Sequence, residues 1–169
     1  SCWEYDKEIG KCEESEMVDG SKNHFTMAKN SLRLSAEKLC KQQSISFAWF
    51  RIFYVYGPGQ RLGSLLPSIL IQLQKGKPPK INSPYSANDY IYIDDVLEVF
   101  AIAVTTNFPS GIYNLGSGAT STAIKICQYA EKIVLNSNDL SDKIQNESIA
   151  KLSDVNFWAG VSSSQKHLK

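Results

Sequence analysis

Ile45-Ser46-Phe47-Ala48-Trp49-Phe50-Arg51-Ile52-Phe53-Tyr54-Val55-Tyr56, followed at once by Gly57-Pro58-Gly59, is the stretch on which the fold turns. It is rich in β-branched and aromatic residues and stops at a Gly-Pro-Gly turn, so it predicts one strand over Ile45–Tyr56. An apolar run this long, without strict polar alternation, suits a strand buried on both faces, as parallel sheets require. Helices should therefore flank it. Upstream, Phe25, Lys29, Leu32, Ala36, Leu39 and Cys40 recur at helical spacing as far as about Gln42, with Ser21 or Asn23 available as N-cap. Downstream, Ser64 opens a helix through Lys75, with Pro67 tolerable in its first turn and Gly76 as its stop. Lys77-Pro78-Pro79 forces an extended connection, and Asp89 to Ile93 alternates as a short strand. Asp94 then caps a helix to about Thr106, and Ile112–Leu115 is a strand ended by Gly116-Ser117-Gly118. Ser121 or Thr122 starts a last helix whose apolar stripe is Ile124, Cys127, Ala130, Ile133 and Val134. Residues 6–23 read as a surface loop, and the sequence beyond Leu135 is polar with no confident element. Helices and strands alternating in this way predict an α/β fold.

The composition excludes several kinds of function. The chain has 169 residues, 43% of them hydrophobic, which is enough for one globular core. Its 18 basic and 17 acidic residues are scattered, so no polybasic field points to nucleic acid. The longest apolar stretches, Leu65–Leu73 and Val96–Val104, fall well short of a membrane span. Cys2, Cys12, Cys40 and Cys127 contain no C-x-x-C pair, which predicts reduced thiols in a cytoplasmic protein rather than a zinc site or a disulfide framework. Ser1 is not a methionine and opens in mid-pattern, with no leader-like n-region and h-region.

Six blocks in order carry a family resemblance: Ser1-Cys2-Trp3-Glu4-Tyr5, Ala28-Lys29, Arg51 through Gln60, Ser64-Leu65-Leu66-Pro67, Asp89 through Val96, and Tyr113 through Gly118. Together they resemble the C-terminal half of an extended short-chain dehydrogenase/reductase of the NAD-dependent epimerase/dehydratase family, which acts on nucleotide sugars. The resemblance implies the C-terminal part of a Rossmann-like NAD(P)-binding fold with the small substrate-binding lobe, its first strands missing. It divides the chain into a remnant of the dinucleotide-binding domain at 1–56, a mainly substrate-binding lobe at 57–135 with a returning strand near 112–115, and a polar segment at 136–169. The family's Gly-rich cofactor loop lies well upstream of its catalytic serine, so the chain reads as a fragment of a protein about twice as long.

The same resemblance assigns roles. A serine, a tyrosine and a lysine four residues later form the family's catalytic set, and the matching positions here are Ser1, Phe25 and Lys29. A phenol takes the proton of a sugar hydroxyl only if its pKa is lowered, which the lysine one turn away provides. Phe25 has no hydroxyl with which to do this. Lys29 and Phe53 fall at cofactor-binding positions, and Tyr54, Leu65, Leu66 and Asn88 at substrate-binding positions. Tyr54 stands where the family usually has Asn, and is a candidate to supply the missing phenol. Asn88 stands where the family commonly has an arginine that grips the diphosphate; it offers neutral hydrogen bonds instead of a charged fork.

Each residue also has a plainer reading. An aromatic residue at helical spacing, such as Phe25, is usually core, and a single lysine is usually solvated. Asp94-Asp95 reads better as a helix cap and first-turn acid than as a metal pair. His24 and His167 lack partners at ligand spacing. Gly116-Ser117-Gly118 could cradle a phosphate, but lacks the full dinucleotide pattern. The implied activity is that of a nucleotide-sugar 4-epimerase, 4,6-dehydratase or 4-ketoreductase using NAD or NADP, with no metal, no nucleic acid and no membrane, and with homodimerisation through the catalytic helix. The alternatives are a non-catalytic relative that holds a nucleotide sugar or pairs with an active homologue, and an inactive remnant.

Overall fold

The computed structural model describes residues 1–5, 7–16, 18, 23–148 and 154–167. A single 3-10 turn at Cys2–Glu4 precedes β1 (Ile9–Cys12), a strand inside the segment expected to be only a surface loop. Helix α1 (His24–Gln42) follows. Asn23 is its N-cap, accepting a 3.0 Å bond from the Thr26 amide, while the alternative cap, Ser21, lies outside the described residues. The order continues with β2 (Ala48–Ile52), β3 (Tyr54–Tyr56), α2 (Leu65–Gln74), β4 (Ala87–Asn88), β5 (Tyr90–Tyr92) and α3 (Ile93–Thr105). Then come β6 (Gly111–Leu115), β7 (Ser121–Thr122), α4 (Ala123–Leu135), α5 (Asp139–Glu147), β8 (Asn156–Ala159) and α6 (Ser162–His167). This is the expected α/β architecture, with three additions in the polar tail.

The expected single strand over Ile45–Tyr56 is two strands, because the chain changes neighbours at Phe53. β2 pairs in parallel with β6, Ile52 opposite Leu115, and the Phe53 amide donates to the Leu115 carbonyl at 2.9 Å. One residue later the Tyr54 amide donates to the Asp89 carbonyl at 3.0 Å, and β3 continues in parallel with β5. The strand expected from Asp89 is observed as β5, and Asp89 separates it from β4, a short strand the sequence reading did not expect. Before it, β4 pairs antiparallel with β7 and parallel with β8; after it, β5 pairs with β3. β8 in turn pairs with β1, giving the sheet order β1-β8-β4-β7.

Three apolar clusters support these sheets. Ile91, Val96, Val99 and Leu115 pack with Phe50, Ile52 and Val55 beneath α3. Ile69, Leu73, Ile124, Cys127 and Ala130 join α2 to α4. Cys2, Tyr5, Cys12, Phe53, Phe157 and Ala159 tie the first residues to β8.

Three details differ from the sequence reading. Helix α3 begins at Ile93 with Tyr92 as N-cap, so Asp94 and Asp95 sit in its first turn, where their charge complements the helix dipole without a side-chain cap. In α4, Ile124, Cys127 and Ala130 are buried as expected, but Ile133 is 84% exposed at the edge of a cavity. Helix α1 is turned the other way round: Thr26 and Asn30 are its buried residues, whereas Phe25, Leu32 and Leu39 are exposed. Among the described residues nothing covers that apolar face, so polar contacts decide which side of the helix faces in.

Candidate functional site

A cavity of about 1010 Å³ opens between the start of α2, β3, β5 and α4. Tyr54, Leu65, Leu66 and Asn88, far apart in sequence, all line it. Their convergence follows from the two neighbour changes: the switch at Phe53 delivers Tyr54, and the switch at Asp89 leaves Asn88 at the end of β4. α2 brings Leu65 and Leu66 in its first turn, and the side chain of its N-cap, Ser64, makes no capping bond. Gly57 and Gly59 carry the chain from β3 toward α2 with φ of 150° and 79°. Gln60 folds back, donating to the Val55 carbonyl at 3.1 Å, and also faces the cavity.

Tyr54 packs in an aromatic group, 6.0 Å from the Trp3 ring and 5.7 Å from Tyr90. Burial pushes its phenol well above the usual range, and the Cys2 thiol and Tyr90 phenol push the same way. At neutral pH it keeps its proton: it can donate a hydrogen bond, but it is a poor base. Burial pushes the Tyr90 phenol up as well, against a lowering pull from the neighbouring Asn88 amide, and Asn88 Oδ1 is buried without a hydrogen-bond partner among the described residues.

The other sequence-derived positions lie elsewhere. Ser1 Oγ accepts from the Trp3 amide at 3.4 Å. Phe25 is 54% exposed, and the Lys29 ammonium stands 5.7 Å from its ring centroid. None of the three is among the residues lining the cavity. The Phe53 ring is buried, 6.3 Å from Tyr5 and 6.0 Å from Phe157, so the side chain serves the core.

Two buried polar networks fix the surroundings. Arg51 lies under the β2 strand with its Nε 3.3 Å from Glu4 and its Nη1 donating to the Tyr5 hydroxyl at 2.9 Å. Tyr5 passes its proton toward Asn114 Oδ1 at 2.8 Å, and Asn114 Nδ2 donates to the Cys12 and Gly160 carbonyls. Burial raises the Tyr5 phenol to about 12, against the lowering pull of Arg51. The second network centres on Asp89. Its fully buried carboxylate accepts from the Ser117 amide and hydroxyl, the Gly118 amide and the Ala159 amide. The Gly116-Ser117-Gly118 turn therefore already holds an anion, the protein's own, and its amides are not turned toward a ligand phosphate. Sequence reading placed Asp89 inside a motif without giving it this task; an acid between two short strands of opposite pairing was the available signal. Among the described residues no group of three or more His, Cys, Asp or Glu is placed to hold a metal ion, Asp94 and Asp95 included.

With this geometry in view, residues 1–116 match the NAD dependent epimerase/dehydratase family. The chain belongs to that family. Among curated relatives, the epimerase/dehydratase chain is 33% identical over 109 residues to dTDP-4-dehydro-6-deoxyglucose reductase of Escherichia coli, covering 62% of this chain and 33% of the reductase. It is 25% identical over 134 residues to CDP-abequose synthase of Salmonella muenchen, covering 79% and 43% respectively. Among solved structures, the Bordetella bronchiseptica enzyme WbmF in complex with NAD+ and UDP superimposes with a TM-score of 0.74 at 20% identity, covering 95% of this chain and 52% of WbmF. The chain thus spans between a third and about half of the length of these relatives, and its fold matches the corresponding part of WbmF. No helix among the described residues is long and apolar enough to cross a membrane.

Proposed function

We propose that the chain is the substrate-holding part of a nucleotide-sugar oxidoreductase, epimerase or dehydratase that works at sugar C4 with NAD or NADP. The observation that carries this reading is the convergence of Tyr54, Leu65, Leu66 and Asn88 on one cavity large enough for a nucleotide sugar. In it, the Leu65 and Leu66 segment and Tyr90 grip the sugar nucleotide, and Tyr54 donates a hydrogen bond to a sugar oxygen.

The residues near the cofactor position fit a nicotinamide ribose in part. Lys29 is half-buried, and its ammonium has no carboxylate partner among the described residues, so it is free to hold ribose hydroxyls. Phe53 offers only backbone, and the phosphate-binding loop of the family is not among these 169 residues. When bound, the dinucleotide accepts or returns a hydride. This chain's own residues have the task of holding the sugar, keeping water out and moving the hydroxyl proton. The resemblance supports giving Ser1 the role of hydrogen-bonding the reacting oxygen. Phe25 cannot take the proton, and the raised Tyr54 phenol does not take it at neutral pH.

Those two residues favour a second reading, a non-catalytic relative that binds a nucleotide sugar or pairs with an active copy. The exposed apolar face of α1, with Phe25, Leu32 and Leu39, supports pairing through that helix. Phe25→Tyr, made in the protein complete with its cofactor loop and assayed by NADH absorbance on nucleotide sugars, separates the two readings. A gain of about a hundredfold or more is expected if the rest of the site is competent; no gain favours a site lost altogether. Unchanged turnover in Tyr54→Phe would remove Tyr54 from the chemistry.

A further inference from the structure

The charge of the cavity is concentrated in one residue. Among the described residues that line it, Lys80 alone carries a charge, and every other polar group on the wall is a neutral hydroxyl or amide. No carboxylate lines the cavity, and Lys80 forms no ion pair among the described residues. Its backbone is restrained by the preceding Pro78-Pro79, the second of these buried, so the exposed ammonium is presented from a stiff extended segment. Asn88 cannot take over the role. It is neutral: its Oδ1, buried without a partner among the described residues, repels phosphate oxygens, and its Nδ2 offers hydrogen bonds but no charge to meet theirs.

We propose that Lys80 is the residue that meets the negative charge of the ligand in this cavity, in place of position 88. The inference rests on the nucleotide-sugar reading and adds a specificity to it. A nucleoside diphosphate is held through one point charge, with the base and sugar recognised by neutral groups and apolar walls. A single cation has a definite signature: affinity for the charged part is sensitive to salt, and affinity for the uncharged nucleoside is not.

The test is calorimetric titration of the chain with UDP, CDP, dTDP and ADP, each alongside its nucleoside, in the wild type, Lys80→Met and Lys80→Arg. For the diphosphate that binds, Lys80→Met is expected to lose about tenfold or more in affinity, the size of one charge-assisted contact. Its nucleoside should bind both proteins alike, and Lys80→Arg should restore the loss. Because Lys80 is exposed, the methionine variant is expected to fold, and an unchanged melting temperature would verify this. Undiminished diphosphate affinity in Lys80→Met, or an equal loss for the nucleoside, overturns the proposal alone. If the wild type binds none of the eight compounds, the nucleotide-sugar reading fails, and the proposal with it.

Discussion

Replacing Asp89 by asparagine keeps the shape of the side chain and removes one acceptor, which makes it a severe test of the hub described above. Oδ1 accepts from the Ser117 amide at 2.6 Å and its hydroxyl at 2.7 Å; Oδ2 accepts from the Gly118 amide at 2.9 Å and the Ala159 amide at 3.0 Å. An amide NH2 on the Oδ2 side would face two fixed N–H groups. On the Oδ1 side it faces one fixed N–H and a hydroxyl that can rotate to accept, so that orientation is cheaper. It still loses a bond to a charged acceptor, about 1.5 to 3 kcal/mol, and weakens those that remain. Relief from burying a charge offsets part of this. A net loss of about 2 to 3 kcal/mol is expected, or roughly 5 to 10 °C in melting temperature for a chain of this size. Asp89→Ala leaves the buried Ala159 N–H and the part-buried Ser117 and Gly118 N–H groups without their acceptor and should cost about 3 kcal/mol or more. Urea unfolding followed by circular dichroism measures both variants against the wild type. An asparagine variant within about 0.5 kcal/mol of wild type, or an alanine variant no worse than the asparagine one, would refute the reasoning.

Gly116→Ala should be destabilising by about 1 to 3 kcal/mol, since its Cβ would stand 2.6 Å from Asp89 Oδ2 and 2.7 Å from the Ala159 Cβ; the same urea series reads it. Arg51→Met strands the buried Glu4 carboxylate with only Trp49 and the Ser1 ammonium, and should cost about 3 kcal/mol, with part of the loss recovered in a Glu4→Gln/Arg51→Met double variant. Glu131 is held below its ordinary value of 4.5: burial pushes it up, but bonds from Ser141, Leu140 and Ser137 outweigh that. Its stabilisation is therefore complete above about pH 4.5 and is lost as pH falls through the lower folded value, so Glu131→Gln should flatten the acid limb of a stability profile. If α1 pairs two copies, sedimentation velocity should show a dimer that Leu32→Lys converts to monomer; a wild type that is monomeric throughout ends that reading.

What was legible in the sequence follows from periodicity. α2, α3 and α4 announced themselves because each buries a repeated apolar face against one partner, as Ile69, Leu73, Ile124 and Cys127 do. Tyr54, Leu65, Leu66 and Asn88 were grouped by the family resemblance of their motifs, and they line one cavity. The breaks at Phe53 and Asp89 were not legible, because a strand that changes neighbours keeps its alternation while its hydrogen bonds move. β1 and β8 were missed for a related reason: each is only four residues long, and each is stabilised by the other rather than by any local signal. The orientation of α1 ran against its pattern, since Thr26 and Asn30 are buried, bonded to the cap residue Asn23 and to Arg33 of the same helix, while Phe25, Leu32 and Leu39 are exposed.

Asn88 and Asp89 are neighbours with opposite duties, one on the cavity wall and the other fastening the Ala159 amide of β8. Because β4 also pairs directly with β8, Asn88 opposite Phe157, occupancy of the proposed ligand site is expected to couple to the attachment of the C-terminal strand. A ligand that steadies Asn88 should slow hydrogen exchange at Ala159, and shortening the chain before Asn156 should weaken binding in a cavity that β8 does not line.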